Sequence, residues 1–439
     1  MHYQELLGAF QELETGFSAQ EAVTEATRCL KCEEGPCAKG CPAGVEVVKF
    51  IRQVAARNFA GAIRVIKEDN ILAGICARIC PQRMLCEGRC SSSELASPIK
   101  IGRLQRFAAD QEAEKGAKPL KSLPTKGIKV AVVGSGPAGL SAATFLKRLG
   151  YEVDLFEAES IPGGVLTYGI PAYRLPKNIV QREVEYVRSL GVSIQTERPI
   201  KTPLALLGQY KAAFLAIGSN RPDQLGIPGE ELPGVIQAVP FLKGVNLALL
   251  QQRDFESQVG DQVVVIGGGN AAIDGAVVAR RLGAARVTIL YRRSEQEMAA
   301  WEEERQFAIG QGVAIQTLTQ PVSFIGDHGK LAEVECVKVQ LGEVDDSGRR
   351  RPIALAGTEF RIPCDMAIVA IGQKPGPGLE GLKRNPRGLV EADEETLVTS
   401  VQGIYAGGDL IRGSDTAVRA VGDGKRAALA MDAWIQGRP

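Results

Sequence analysis

Eight of the ten cysteines in this 439-residue chain lie between Cys29 and Cys90. They form two runs, Cys29-x2-Cys32-x4-Cys37-x3-Cys41-Pro42 and Cys76-x3-Cys80-Pro81-x4-Cys86-x3-Cys90. Thiols at such spacing could cross-link, bind zinc or hold iron–sulfur clusters. Disulfides belong to oxidising compartments, and nothing in the sequence points to one. Structural zinc favours paired Cys-x2-Cys knuckles, and only Cys29 and Cys32 make one. Iron–sulfur clusters fit best. The first run is a loosened form of the bacterial ferredoxin spacing, down to the proline after its last cysteine. Eight thiolates could serve two 4Fe–4S clusters.

Two glycine-rich turns carry a second chemistry. Ile128 to Val133 reads as a buried parallel strand, and it runs into Gly134-Ser135-Gly136-Pro137-Ala138-Gly139. A helix-like stretch follows, then a second strand, Glu152 to Phe156, with Glu157 at its end. This is the dinucleotide fingerprint in its required context. Gly134 permits the tight turn, Gly136 lets backbone approach a pyrophosphate, and Gly139 lets helix and strand pack closely. Unpaired N–H groups at the helix start suit phosphates, and Glu157 can accept hydrogen bonds from a ribose diol. Residues 261 to 293 repeat the pattern with Gly267-x-Gly269-Asn270-Ala271-Ala272, alanine being a permitted third small residue. This copy ends its second strand in Tyr291-Arg292-Arg293-Ser294, with no carboxylate. Arginines there can pair with a 2′-phosphate that a glutamate would repel, so NADPH is expected at the second site.

The elements that must position these groups are partly legible. Between the cysteine runs, Val47, Phe50, Ile51 and Val54 recur at helical spacing, and Ala62 to Ile66 supply a second apolar stripe. Residues 111–127 are charged, with scattered Gly and Pro, and read as a linker. The apolar run Ala212 to Ile217 predicts a further buried strand. Phe214-Leu-Ala-Ile-Gly218 recurs as Val369-Ala-Ile-Gly372, an internal repeat that suggests a doubled architecture.

The runs RCLKCEEGPCAKGCP, ICARICPQRMLCEGRC and PIKIGRLQRFAAD resemble the N-terminal cluster domain of dihydropyrimidine dehydrogenases. That family includes a separate NAD(P)H-oxidising subunit in bacteria. More distantly, the glutamate synthase small subunit and a subunit of NADH-dependent ferredoxin:NADP oxidoreductase share the architecture. The resemblance covers essentially the whole chain. It implies that Cys29, Cys32, Cys37 and Cys90 hold one 4Fe–4S cluster, and that Cys41, Cys80, Cys86 and the side-chain oxygen of Gln105 hold the other. Cys76 is then a spare thiol. A glutamine at position 105 leans toward the pyrimidine branch, since a glutamate is expected there in the other two. Gly163 and Gly164, in the Gly/Pro-rich loop 161–176, match a flavin-side loop of the family. Gly407-Gly408-Asp409 resembles the strand-end motif whose aspartate contacts the ribityl chain of FAD. Thr416, Ala417 and Val418 begin a helix whose dipole would favour the reduced flavin. FAD is therefore implied at the first fingerprint.

The fold expected is α/β: an α-helical N-terminal domain with two iron–sulfur clusters (1–110), a linker (111–127), an FAD domain in two parts (128–226 and 372–439), and an NADPH domain (227–371) inserted between them. Charges nearly balance, 52 basic against 51 acidic residues, which gives no sign of nucleic-acid binding. No apolar run spans a membrane, and the N-terminus lacks a signal-peptide core, so the cytoplasm is expected. With only His2 and His328 present, histidine acid–base catalysis is not anticipated, and no catalytic residue is nominated. Disulfide chemistry is disfavoured too, because Cys336 and Cys364 stand apart in sequence with no dithiol spacing. The resulting expectation is a subunit passing electrons from NADPH through FAD and clusters to a catalytic partner. That partner is either FMN-containing and pyrimidine-reducing or glutamate synthase-like; a subunit of NADH-dependent ferredoxin:NADP oxidoreductase is a further alternative, and an idle scaffold the weakest.

Overall fold

A computed structural model describes residues 1–116, 120–345 and 348–438. The chain forms two compact units. One gathers Glu12–Thr167, Arg174–Arg221 and Lys374–Pro439; the other gathers Met1–Gln11, Tyr168–Tyr173 and Pro222–Gln373.

The first unit begins with helices. Val47–Ala55 buries Val47, Phe50, Ile51 and Val54 as their spacing predicts, and Phe59–Asp69 buries Ala62, Ile63 and Ile66. Ala73–Ile79 and Ile101–Lys115 complete the bundle and pack on each other. The last helix runs further than the sequence suggested. Gln111 to Lys115 belong to it because they are good helix formers, and it stops at Gly116, left-handed at φ 66°. The middle of the expected linker, residues 117–119, lies outside the described residues.

A five-stranded parallel sheet follows, in the order Ile404–Ala406, Ala213–Leu215, Lys129–Val133, Glu152–Phe156, Ser193–Gln195. The fingerprint strand is central and buried on both faces, hence its unbroken apolar run. The helix Pro137–Arg148 covers the sheet, and the long C-terminal helix Ala417–Ile435 lies along it.

The second unit repeats the plan. Its parallel sheet runs Val235–Gln237, Met366–Val369, Gln262–Ile266, Arg286–Leu290, Val313–Gln316, again with the fingerprint strand central. An antiparallel sheet of Thr319–Asp327, Lys330–Val344, Arg350–Ala354 and Phe360–Pro363 is added. The N-terminal helix Tyr3–Ala9 belongs here, although residues 1–110 read as one domain in sequence. Leu6 and Phe10 join this unit's core beside Tyr173, and two apolar side chains give no sequence signal of where they will dock. No helix among the described residues is long and apolar enough to cross a membrane.

The crossing of Pro137–Arg148 with the C-terminal helix depends on Gly424. A Cβ there would lie 2.2 Å from the Ala138 carbonyl oxygen and 2.8 Å from the Ala142 nitrogen. In an exposed helix Gly→Ala stabilises by about 1 kcal/mol. Here the sign reverses: Gly424→Ala is expected to destabilise by ~1–3 kcal/mol through overpacking, read as a lowered denaturation midpoint.

Candidate functional site

The two cysteine runs fold so that their members mix. Lys31, left-handed at φ 57°, turns the chain between Cys29 and Cys32. Burial raises the Cys29 thiol against a lowering by the Lys31 backbone, and neighbouring Cys90 and Cys32 raise it further. Burial likewise takes Cys37 to about 11, with Cys90 and Cys29 adding to it. Cys90, from the second run, thus sits among Cys29, Cys32 and Cys37, and its sulfur accepts from the Ile99 N–H at 3.5 Å.

Cys41 crosses the other way. Its thiol is raised by burial and by Cys76, against a lowering by the backbone of Val45, Ala43 and Gly44. Cys80 is raised by its thiol hydrogen bond with Cys76, by burial, and by Cys41 and Cys86. Burial and Cys41 push Cys86 up to about 12. The second group is therefore Cys41, Cys76, Cys80 and Cys86, with the presumed spare thiol Cys76 inside it. Gln105 is buried, and its Nε2 donates to the Ala73 carbonyl at 2.8 Å; its oxygen accepts no hydrogen bond from the described residues. No three Cys, His, Asp or Glu side chains among the described residues converge as around a single ion. A four-iron cluster, whose ligands leave four separate metal atoms, holds its thiolates wider apart. A backbone N–H aimed at sulfur, as from Ile99 to Cys90, is what such clusters use to hold their charge.

In the same unit, the first fingerprint is built by contact. A Cβ on Gly134 (φ +99°) would lie 2.3 Å from the Ala216 carbonyl oxygen, and one on Gly139 would lie 1.8 Å from the Gly134 oxygen. Gly136 meets nothing within 4 Å, so the N-terminus formed by Pro137, Ala138 and Gly139 is left open on that side. The Glu157 carboxylate is already engaged. One oxygen accepts from Ser135 N–H and Oγ–H at 3.0 and 2.5 Å, the other from Glu159 N–H at 2.9 Å. A carboxylate offers about four acceptor positions, which leaves capacity for a diol. Ser135 Oγ in turn accepts from Gly163 N–H at 2.8 Å, and a Cβ on Gly164 would lie 3.0 Å from Gly136 Cα. Ser135 thus ties three loops together. The fingerprint leaves its position unspecified, so no sequence signal marked it.

The C-terminal return closes this pocket. Gly408 (φ +67°) donates to Asp423 at 3.0 Å, and Asp423 also binds Arg412 through two bonds of 2.8 Å and Arg426 at 2.6 Å. Asp423, fully buried, is a second residue that sequence reading missed. Burial pushes the Asp409 carboxyl up to about 6, with Asp415 and Asp423 adding to the rise. Thr416, at the start of the C-terminal helix before half-buried Ala417 and buried Val418, carries a buried Oγ1 with no partner among the described residues. An open glycine turn and an orphaned hydroxyl fit a dinucleotide cofactor.

The second fingerprint uses the same contact. A Cβ on Gly267 (φ +150°) would lie 2.3 Å from the Ala370 carbonyl oxygen, and Ala272 fills the third position. Gly269 is open, with Asn270 and Ala271 starting the helix Asn270–Arg281. Gly268 packs against the Tyr291 ring, 2.3 Å from where its Cβ would stand. The segment after Tyr291 folds back over the turn: Ala300 N–H donates to the Gly268 oxygen at 2.9 Å, and Trp301 N–H to Asn270 Oδ1 at 3.3 Å. The two arginines part company. Arg293 is buried and bound to Asp345 at 2.7 Å and to the Arg350 oxygen at 2.8 Å. Arg292 is exposed; partial burial of its guanidinium, then the charges of Arg293 and Arg349, lower its pKa.

Cys336 and Cys364 lie in one hydrophobic core of this unit, where burial raises each thiol to about 12. Cys336 is close enough to contribute to the Cys364 shift, so the pair is nearer in space than in sequence, yet protonated and enclosed.

Comparison with known proteins accords with this construction. Residues 128–424 match the family model described as pyridine nucleotide-disulphide oxidoreductase, and residues 7–117 match dihydropyrimidine dehydrogenase domain II, 4Fe-4S cluster. The chain is 37% identical to the NADP(+)-dependent formate dehydrogenase subunit beta of Moorella thermoacetica over 91% of its length, and spans 60% of that protein. It is 35% identical to the glutamate synthase [NADPH] small chain of Halomonas elongata, covering 95% of this chain and 92% of that one. Against the NAD-dependent dihydropyrimidine dehydrogenase subunit PreT homolog of Salmonella typhi the identity is 34%, with 97% of each covered. In fold it is similar to FprA of Mycobacterium tuberculosis in complex with NADPH, with a TM-score of 0.60 at 20% identity over 71% of this chain and 85% of that one. The chain belongs to the pyridine nucleotide-disulphide oxidoreductase family, with a dihydropyrimidine dehydrogenase-type 4Fe–4S domain before it, and is an oxidoreductase built for FAD, NADPH and 4Fe–4S clusters.

Proposed function

We propose that this chain is the electron-input subunit of a cytoplasmic complex, moving electrons from NADPH through FAD and two 4Fe–4S clusters to a catalytic partner subunit. When bound, flavin accepts a hydride and releases its electrons singly, and the clusters take single electrons. The observation that carries this reading is the C-terminal helix. Its first turn, Thr416 to Val418, borders the proposed flavin pocket. Gly422, six residues and about 9 Å further along the axis, lies against the Cys41–Pro42 turn. A Cβ there would be 2.4 Å from the Pro42 oxygen, and Lys425 Nζ donates to the Ala43 oxygen at 3.3 Å. One rigid element thereby spaces the flavin pocket from a cysteine of the second group.

The residues have separable duties. Ser135 and Glu157 fix the turn that receives the FAD pyrophosphate and ribose. Asp423 holds Gly408 so that Asp409 faces the pocket. Arg292 takes the 2′-phosphate of NADPH, while Arg293, spent on Asp345, holds the strand end in place. Hydride transfer needs such positioning more than an acid or base.

For the partner, we favour an FMN-containing subunit that reduces uracil or thymine. The support is a buried glutamine with an open oxygen at position 105, and the end-to-end match to the PreT homolog. A glutamate synthase large subunit is the second reading, supported by the match to 92% of the Halomonas small chain. Anaerobic co-purification decides between them. The complex is expected to oxidise NADPH with uracil, and oxidation with glutamine plus 2-oxoglutarate instead would select the second reading.

Arg292→Ala is expected to weaken NADPH binding about 10- to 100-fold, the equivalent of ~1.5–3 kcal/mol, and to leave NADH nearly unchanged. Equal losses for both nucleotides would remove the 2′-phosphate from this site. Cys90→Ser is expected to lower the iron content while NADPH still bleaches the flavin; a full iron complement would deny Cys90 its role.

A further inference from the structure

We propose that Glu183 is the positioning residue that turns the side-chain oxygen of Gln105 toward the second cysteine group, acting through a single peptide group. The inference rests on the reading of Gln105 as an iron ligand. Its basis is the peptide between Ala73 and Gly74, which is hydrogen-bonded at both ends. The Ala73 carbonyl accepts from Gln105 Nε2 at 2.8 Å, and the Gly74 N–H donates to Glu183 Oε1 at 2.6 Å. The other carboxylate oxygen accepts from Ile75 N–H at 3.4 Å. A carbonyl oxygen can only accept, so the Gln105 amide must present its nitrogen to Ala73. Its oxygen, the atom able to bind iron, is then turned elsewhere.

Glu183 strengthens that choice. Hydrogen bonds at the two ends of one amide polarise each other, so an acceptor at Gly74 N–H makes the Ala73 oxygen a better acceptor for Gln105. Glu183 is 4% exposed and reaches across from the helix Lys177–Ser189, which follows the flavin-side loop. Gly74 admits it: a Cβ at this position would be 3.0 Å from Glu183 Oε1 and 3.5 Å from the Ala109 methyl. Burial pushes the Glu183 carboxyl up to about 7, against Lys67, the Gly74 and Ile75 N–H groups and Arg182. A carboxyl oxygen accepts in either protonation state, so the relay does not depend on which one prevails. Burying a carboxyl is costly, and the structural gain of capping a seven-residue helix is small beside it.

The test uses the full chain loaded anaerobically with flavin and iron, in wild-type, Glu183→Gln, Glu183→Leu and Gln105→Ala forms. The readouts are the electron paramagnetic resonance spectrum of the reduced protein and the rate of iron loss to a chelator. Glu183→Leu removes the acceptor from the Gly74 N–H, whereas Glu183→Gln keeps the shape and can hold its amide oxygen on that N–H, with its nitrogen on the longer Ile75 contact. Glu183→Leu, where it retains flavin, is expected to lose iron about 10-fold faster than wild type, with a changed spectrum and with flavin still bleached by NADPH, and Glu183→Gln to stay near wild type in both readouts. Gln105→Ala is expected to change the same spectral component. A flavin-loaded Glu183→Leu protein with wild-type spectrum and iron retention overturns the proposal, as does a Glu183→Gln protein altered as much as Gln105→Ala. An unchanged Gln105→Ala spectrum instead removes the ligand reading itself and hands the fourth position to Cys76.

Discussion

The structure depends on one close approach made twice. In each unit the first glycine of the fingerprint touches the backbone carbonyl of the neighbouring strand, Gly134 at Ala216 and Gly267 at Ala370, each 2.3 Å from where a Cβ would stand. No L side chain fits there, and both glycines take positive φ. The approach lets the chain leave the sheet sharply and enter a helix whose N-terminus faces open space at Gly136 or Gly269. A wider turn would pull the helix off the strand and let side chains fill the phosphate position. The two carbonyls belong to equivalent residues of the repeat Leu-Ala-Ile-Gly and Val-Ala-Ile-Gly. The repeat is thus a record of the partner strand that each fingerprint needs.

The cysteine region is governed by interleaving. Cys90 joins the first run and Cys41 joins the second, so neither group is complete until both runs are folded. The helices between them, Val47–Ala55 and Phe59–Asp69, supply that order by burying their apolar faces, and the second also pairs Lys67 with Glu112. Metal binding to such a site is coupled to folding, because ligands distant in sequence pay their ordering cost when the helices pack. The thiols, raised by burial and by one another, need cluster charge to become thiolates.

Much of this was legible in the sequence, and the rest failed for physical reasons. The strands, the glycine turns and the Val47 helix follow from periodicity and from steric demands that few residue types satisfy. Arg293 is different: its type and position match a phosphate ligand, yet Asp345, 52 residues on, claims it. Only the antiparallel hairpin brings that carboxylate near. Ser135, Asp423 and Glu183 were silent for a similar reason. Each acts by hydrogen-bonding to backbone, and a backbone partner leaves no residue pattern. The docking of Leu6 and Phe10 was equally silent, since apolar burial does not name its partner.

The segment Gly422-Asp423-Gly424 gathers these constraints in three residues. It holds two glycines, and in a helix interior each glycine costs about 1 kcal/mol. It nevertheless lies inside the helix Ala417–Ile435. Successive residues of a helix point about 100° apart, so three in a row face three directions. Gly422 receives the Pro42 carbonyl from the cysteine region, Asp423 holds Gly408 and two arginines at the flavin motif, and Gly424 receives the Ala138 carbonyl from the fingerprint helix. A larger residue at either glycine, or a neutral one at position 423, would separate parts that electron transfer requires at fixed spacing. Helix propensity is given up here because three backbones must meet one helix, and only residues without side chains let two of them approach.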